Sequence, residues 1–97
     1  MNIAYQSPSG DERIECLRRQ LESSFHPLEL SIQDDGAQHS GHAHEGNGHF
    51  SVRIVAPAFA TQSRLQRHRM IYAALGNLLQ TDIHALSIKA LAPGELH

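Results

Sequence analysis

The chain has 97 residues, which suit one domain with a modest hydrophobic core. Its formal net charge of −2 argues against a protein that coats nucleic acid by charge alone. No apolar run is long enough to predict a membrane span, and the single cysteine, Cys16, cannot form a disulfide within the chain; we therefore expect one domain in a reducing cytoplasm.

The first half of the chain predicts a helix followed by two strands. Residues 1–10 are polar and indicate a loose arm, with Ser9 opening a capping box. The apolar residues that then recur at helical spacing are Ile14, Leu17, Leu21 and Phe25. Pro27 should end this helix. Residues 28–33 and 50–54 alternate between apolar and polar side chains, so we expect an antiparallel hairpin with an unusually long connection.

The second half predicts a helix and a third strand. Residues 64–79 follow a helical pattern that Thr61 or Ser63 could cap. The predicted buried stripe comprises Leu65, Tyr72, Leu75 and Leu79, widened by Ile71, Ala74 and Leu78. Residues 84–90 alternate as a strand, and residues 92–97 form a short tail. A helix between two strands favours a parallel pair, so we expect an α+β fold with a small three-stranded mixed sheet packed by helices.

The connection between the first two strands is rich in histidine and glycine. His39, His42 and His44 lie within it and His49 follows, so four of the eight histidines fall in this stretch. Neutral imidazole is the commonest metal ligand in proteins. A loop of this length is usually either functional or disordered, and a metal-binding or cluster-binding loop and a mobile polar connector both remain open. Its histidine pairs are also plausible Zn²⁺ or Ni²⁺ chelators.

Four short motifs, in the right order, resemble the BolA family. Residues 66–72 (QRHRMIY) are similar to that family's RHRMVY helix, and residues 83–86 (IHAL) to its VHAL strand. Residues 48–50 and Phe59 fall where the family has its HF and F-x-G signals. The likeness extends over residues 12–91, so we expect a single BolA-like domain across the 97 residues.

The resemblance implies a fold of order α-β-β-α-α-β, related to class II KH domains. It also implies a short extra helical turn near residues 61–63, which periodicity does not indicate. One departure from the family pattern concerns Thr61, which stands where many relatives have glycine. Because a glycine-rich turn lets backbone N–H groups approach a nucleic-acid backbone, this threonine weakens an inherited nucleic-acid function.

The resemblance further implies a monothiol glutaredoxin partner, with which the chain would share a [2Fe–2S] cluster. His84 matches the family's ligand at the start of the third strand, and a loop histidine would be the second ligand. His42 and His39 are preferred for that role over His44. The partner's cysteine and glutathione would supply the thiolates, giving two imidazoles on one iron. The chain alone, a monomer or weak homodimer, should hold the cluster poorly.

Arg64, Arg67 and Arg69 form a local basic cluster on the second predicted helix. Such a cluster is usually a solvated helix face, but it could also dock an acidic partner or DNA. His68 should pack or form a hydrogen bond, His49 should lie on the surface, and Cys16 should be half-buried and inert. No paired carboxylates or nucleophile–base pair is visible, so we expect a non-enzymatic adaptor in iron–sulfur trafficking or iron sensing, or alternatively a DNA-binding transcriptional regulator of the stress or morphology type.

Overall fold

A computed structural model of the chain describes residues 10–35, 49–81 and 85–95. The elements in these ranges are, in chain order, α1 (Gly10–Phe25), β1 (Glu29–Asp34), β2 (His49–Val55), a 3-10 turn (Pro57–Phe59), α2 (Arg64–Leu75), α3 (Leu78–Thr81) and β3 (Ala85–Leu91). This confirms the α+β class and the predicted order α-β-β-α-α-β. The extra turn expected near residues 61–63 lies earlier, at Pro57–Phe59, because Pro57 fixes a helical φ directly after β2.

The three strands form one mixed sheet in the order β1-β2-β3. β1 and β2 are antiparallel, with Leu30 opposite Ile54. β2 and β3 are parallel, with Phe50 beside Leu86. Both pairings confirm the arrangement expected from the sequence. The parallel pair requires a crossover connection, and α2 and α3 provide it.

The hydrophobic core lies between one face of the sheet and the helices. Its largest fully buried side chains are Phe50, Phe59, Leu17, Leu21, Ile54, Ile71 and Leu75. The rings of Phe25 and Phe59 are 5.0 Å apart and tilted by 42°, within the favourable range for an aromatic pair. The opposite face of the sheet carries polar residues such as Ser31 and Ser87, which are exposed. One buried face and one solvated face explain the period-two patterns of the strands.

Helix α1 follows its predicted pattern closely. Leu17 and Leu21 are fully buried, and Glu15 pairs with Arg19 on the solvent side at 3.6 Å. The helix ends at Phe25, two residues before Pro27, as expected. Cys16 is exposed, so the expectation of a half-buried thiol was wrong. Each helical residue is turned by about 100° from the last, and with Leu17 aimed at the core that step carries Cys16 to the surface.

The predicted continuous helix over residues 64–79 is divided in two. α2 begins after Ser63, whose Oγ accepts a hydrogen bond from the Gln66 N–H at 3.1 Å. It ends at Leu75 because Gly76 adopts φ +52°, and its N–H closes on the Tyr72 carbonyl at 3.0 Å. The chain then resumes as the short helix α3. Helical periodicity alone does not register a glycine that reverses the backbone.

The predicted buried stripe of α2 was partly wrong. Leu65 is 59% exposed and Tyr72 is 44% exposed, whereas Ile71 and Leu75 are fully buried. Several stripes on this helix satisfy the same apolar spacing, and the sheet covers only a narrow one. Along the helices that the structure describes, none is long and apolar enough to cross a membrane.

Candidate functional site

The ends of three strand segments meet at one end of the sheet. β1 finishes at Asp34 beside Phe50, and β2 begins one residue earlier at His49, which is paired with Ala85 at the start of β3. The connection that carries His39, His42 and His44 therefore leaves β1 and enters β2 at this end, where His84 directly precedes Ala85 in the sequence. We call this the histidine end of the sheet. The four predicted ligands themselves lie outside the described residues.

His49 is the histidine that the structure describes at this end. It is half-buried rather than fully on the surface, and it alternates with the buried Phe50 onto the open face of the sheet. The neighbouring Ser51 hydroxyl donates a hydrogen bond to a carboxylate oxygen of Asp35, which fixes the chain where it leaves β1. Over residues 10–35, 49–81 and 85–95, no three His, Cys, Asp or Glu side chains gather as a metal site.

The predicted basic cluster is divided by the fold. Arg64 and Arg69 are exposed on α2. The Arg67 side chain is only 12% exposed and forms a bidentate pair with Glu95, at 2.7 and 2.9 Å. Its Nε also donates to the Gln62 carbonyl and its Nη1 to the Ala90 carbonyl, each at 2.9 Å. Arg67 thus holds α2 against β3 and the chain beyond it.

The positive charge of Arg67 is balanced within the domain by the carboxylate of Glu95. The hydrogen bonds that Arg67 donates to Glu95 raise the pKa of Arg67, and desolvation opposes that rise more weakly. Glu95 also accepts a hydrogen bond from the Ala92 N–H at 2.9 Å. Residues 92–95, expected as a short tail, therefore form a turn that packs against the domain, with Ala92 buried. We call Arg67, Glu95, Ala90 and Ala92 the arginine clamp.

A groove of about 640 Å³ lies between α2 and β3. Its walls include Arg64 and His68 from the helix and Ile88 from the strand, and the arginine clamp closes one side. His68 is half-buried here, in keeping with its place on the helix. The groove combines cationic side chains with an adjacent strand, so it can accept an elongated ligand with negative charge.

The turn before α2 has an unusual backbone. Thr61 is exposed and adopts φ +64°, in the left-handed region that favours glycine. The backbone thus keeps a conformation suited to glycine, although a β-branched residue occupies the position. A turn with a Cβ and a methyl group approaches a phosphate backbone less closely than one with glycine.

The sequence alone did not indicate that Glu95 is the partner of Arg67 and divides the basic cluster. The glutamate lies 28 residues from Arg67, and no periodic pattern connects them. The signals available were the opposite charges and the strand that brings the chain back beside α2. Neither signal selects Arg67 over Arg64 or Arg69 without the packing of β3 on the helix.

Comparison with known proteins gives a consistent result. The family model described as "BolA-like protein" matches residues 21–95. SufE-like protein 1 from Arabidopsis thaliana is 41% identical over 87 residues, which are 82% of this chain and 24% of that protein. The DNA-binding transcriptional regulator BolA from Escherichia coli is 38% identical over 77 residues, covering 79% of this chain and 70% of the regulator. This chain therefore spans about a quarter of the plant relative's length.

The solved structures agree with the sequence comparison. The BolA domain of SufE1 from Arabidopsis thaliana superposes with a TM-score of 0.76 at 40% identity. The match covers 92% of this chain and the whole of that domain. A match of this extent spans most of the chain on which the histidine end and the arginine clamp are built.

Proposed function

Because this chain belongs to the BolA family, we propose that it is a non-enzymatic adaptor that shares a [2Fe–2S] cluster with a monothiol glutaredoxin. Its role would be the trafficking of iron–sulfur clusters or the sensing of iron. His84 and one loop histidine, His42 or His39 before His44, would be its ligands. The observation that carries the proposal is the strand register, in which β1 ends and β2 and β3 begin at the same end of the sheet.

The donor chemistry of the chain supports a shared cluster. Besides its bridging sulfides, a [2Fe–2S] centre needs two ligands on each iron, and imidazoles can replace thiolates on one of the irons. The single cysteine, Cys16, is on α1 and borders a cleft with the end of α2. The chain can therefore offer imidazoles near the histidine end, and a partner must supply the sulfur ligands of the other iron.

The strand neighbours give the two imidazoles different supports. Ala85, which follows His84, is held by its pairing with His49. The loop histidines lie between Asp35 and His49, several residues from either strand. When bound, the cluster would supply electron transfer or would itself be passed on, whereas this chain would supply and orient neutral imidazole nitrogens.

The test is reconstitution with a monothiol glutaredoxin, iron, sulfide and glutathione, followed by visible circular dichroism. We expect the mixed complex to have a spectrum different from that of the glutaredoxin alone. His84→Ala should remove that difference. His26→Asn is the matched control, because His26 follows α1, far from the histidine end, and asparagine tolerates its φ of +47°.

Two results would contradict the proposal. The first is a spectrum that His84→Ala leaves unchanged, which would exclude that ligand. The second is spectroscopy showing only sulfur ligands on both irons of the mixed complex. His39→Ala and His42→Ala, tested separately, identify the loop ligand by the same loss of signal.

A second function is favoured by the Escherichia coli relative, whose name describes a DNA-binding transcriptional regulator. In this chain Arg64 and Arg69 are exposed and could contact phosphates, whereas Arg67 is held by Glu95. Thr61, in place of the family's glycine, argues against close approach of the turn to the duplex.

Salt dependence tests this second function. If Arg64 and Arg69 contact phosphates, the double variant Arg64→Gln, Arg69→Gln should reduce the slope of log affinity against log salt by about 2. Arg19→Gln, on α1, is the control for loss of a surface charge. An affinity that does not change with salt would exclude this function.

A further inference from the structure

The outer edge of β3 has an asymmetric pattern of backbone hydrogen bonds. Within residues 10–35, 49–81 and 85–95, β3 is an edge strand that pairs with β2 on one side only. The Leu91 carbonyl accepts a hydrogen bond from the Ala56 N–H at 3.0 Å, so the backbone N–H and C=O groups of Leu91 point to β2. Successive residues in a strand direct these backbone groups to opposite edges of the strand. Ala90, Ile88 and Leu86 therefore direct their N–H and C=O groups to the free edge.

Arg67 occupies one end of that edge. Its Nη1 donates to the Ala90 carbonyl at 2.9 Å, which agrees with an outward orientation for Ala90. The guanidinium and its partner Glu95 cover the edge at this point, and an added strand could not continue past it. The arginine clamp thus protects one end of the edge, as side-chain coverage does in many sheets.

Among the described residues, no side chain is hydrogen-bonded to the backbone of Ile88 or Leu86 in the way that Arg67 is to Ala90. None of the described residues outside β3 forms a backbone hydrogen bond with either of them. A row of unpaired N–H and C=O groups is a template for an additional strand. Ile88 also lines the groove beside α2, so an incoming strand would lie along the groove and not against open solvent alone.

The charges around this groove select the ligand. Arg64, Arg67, His68 and Lys89 line it, and Glu95 is the acidic residue among its described lining residues. Glu95 is neutralised by Arg67, so the exposed Arg64 gives the groove a positive character. An acidic ligand is therefore favoured over a basic one.

We propose that the free edge of β3 at Leu86 and Ile88 binds an acidic, extended segment of a partner protein as an added strand. Arg64 would pair with a carboxylate of that segment. The arginine clamp would stop the added strand from continuing past Ala90. A peptide is favoured over nucleic acid because its N–H and C=O groups match the alternating donors and acceptors of the edge over several residues. Phosphates would engage only the cationic side chains.

Amide hydrogen exchange measured by NMR tests the proposal. The probe is an octapeptide of alternating glutamate and valine, added to the full chain. We expect the Ile88 and Leu86 amides to exchange at least tenfold more slowly at saturation. The Ser87 and Lys89 amides, which face β2, should change little. This period-two pattern distinguishes an added strand from docking through side chains.

Two variants test the charge selection. Arg64→Gln should weaken peptide binding about two- to fivefold, the range for one exposed ion pair. Arg19→Gln, at an exposed arginine on α1, should leave the affinity unchanged. A peptide of alternating lysine and valine should bind more weakly than the glutamate peptide.

Several outcomes would overturn the proposal. Exchange that the glutamate peptide leaves unchanged would exclude strand addition. Equal binding of the lysine peptide would exclude the acidic preference. Protection by oligothymidylate in place of the peptide would identify the groove as a nucleic-acid surface, and protection that rises with protein concentration alone would identify a second copy as the occupant. None of these results depends on the iron–sulfur proposal, since no cluster or histidine ligand is involved.

Discussion

The two ends of β3 differ in how the rest of the chain holds them. At its C-terminal end, Arg67 bridges α2, the Ala90 carbonyl and Glu95, and Ala92 is buried. At its N-terminal end, Ala85 is exposed and pairs with His49 of β2. The first end uses its charged groups within the domain, whereas the second adjoins the segments that contain the predicted ligands. Arg67 at the first end is thus structural, whereas the histidines proposed to serve a partner adjoin the second end in the sequence.

The largest expected effect is from Arg67→Met, which keeps much of the aliphatic volume and removes the guanidinium. We expect a loss of about 2–3 kcal/mol in the free energy of unfolding, because Glu95 and two carbonyls lose a charged donor in a poorly solvated place. Urea denaturation measures it. Arg69→Met, at an exposed position of the same helix, should change stability by less than about 0.5 kcal/mol. Equal effects would remove the distinction between the two arginines.

Matched substitutions at the two ends of β3 sharpen the comparison. Ala92→Ser places a hydroxyl at a position that is 6% exposed, and we expect a loss of about 1–2 kcal/mol. Ala85→Ser makes the same change at an exposed position, and its effect should remain within about 0.5 kcal/mol. Thermal unfolding of both variants provides the measurement. A larger loss at Ala85 would contradict the conclusion that the C-terminal end of β3 is the more firmly held end.

The turn that leads into α2 is tied to the C-terminal end of β3, because the Gln62 carbonyl accepts a hydrogen bond from the Arg67 Nε–H. Thr61→Gly should relieve the strain of φ +64° in this turn. Left-handed backbone costs an L-residue about 1–2 kcal/mol, and the entropy cost of glycine offsets part of the gain. We expect a net stabilisation of about 0.5–1 kcal/mol in urea denaturation. Destabilisation would mean that the threonine side chain contributes contacts that outweigh the strain.

The smallest expected effect concerns alkaline pH. The raised pKa of Arg67 means that its contribution is fully present below the ordinary arginine pKa, and it is lost only as pH rises through the folded-state value, in strong alkali. The stability difference between the wild type and Arg67→Met should therefore change by less than about 0.5 kcal/mol between pH 7 and pH 10. Denaturation at both pH values measures it. At the histidine end the expectation is opposite in character, since cluster capture should weaken in acid as imidazoles become protonated.

The sequence predicted the sheet better than the helices. Alternation in residues 28–33 and 50–54 identified the hairpin because one face of the sheet is buried and the other solvated. The helical spacing in residues 64–79 was less decisive, because Leu65 and Tyr72 satisfy it as well as Ile71 does. Gly76 then divided the helix through a backbone conformation that an apolar pattern does not encode.

The sequence by itself determined the family, the fold class, the α1 core stripe and the abundance of imidazoles near one strand connection. These features depend on local periodicity and on short motifs, which the linear order of residues contains. Only the tertiary structure decided that Arg67, and not Arg64 or Arg69, is held by Glu95, and that Ala90 faces the free edge of the sheet. Those properties depend on which distant segments meet, and packing of β3 against α2 sets that contact.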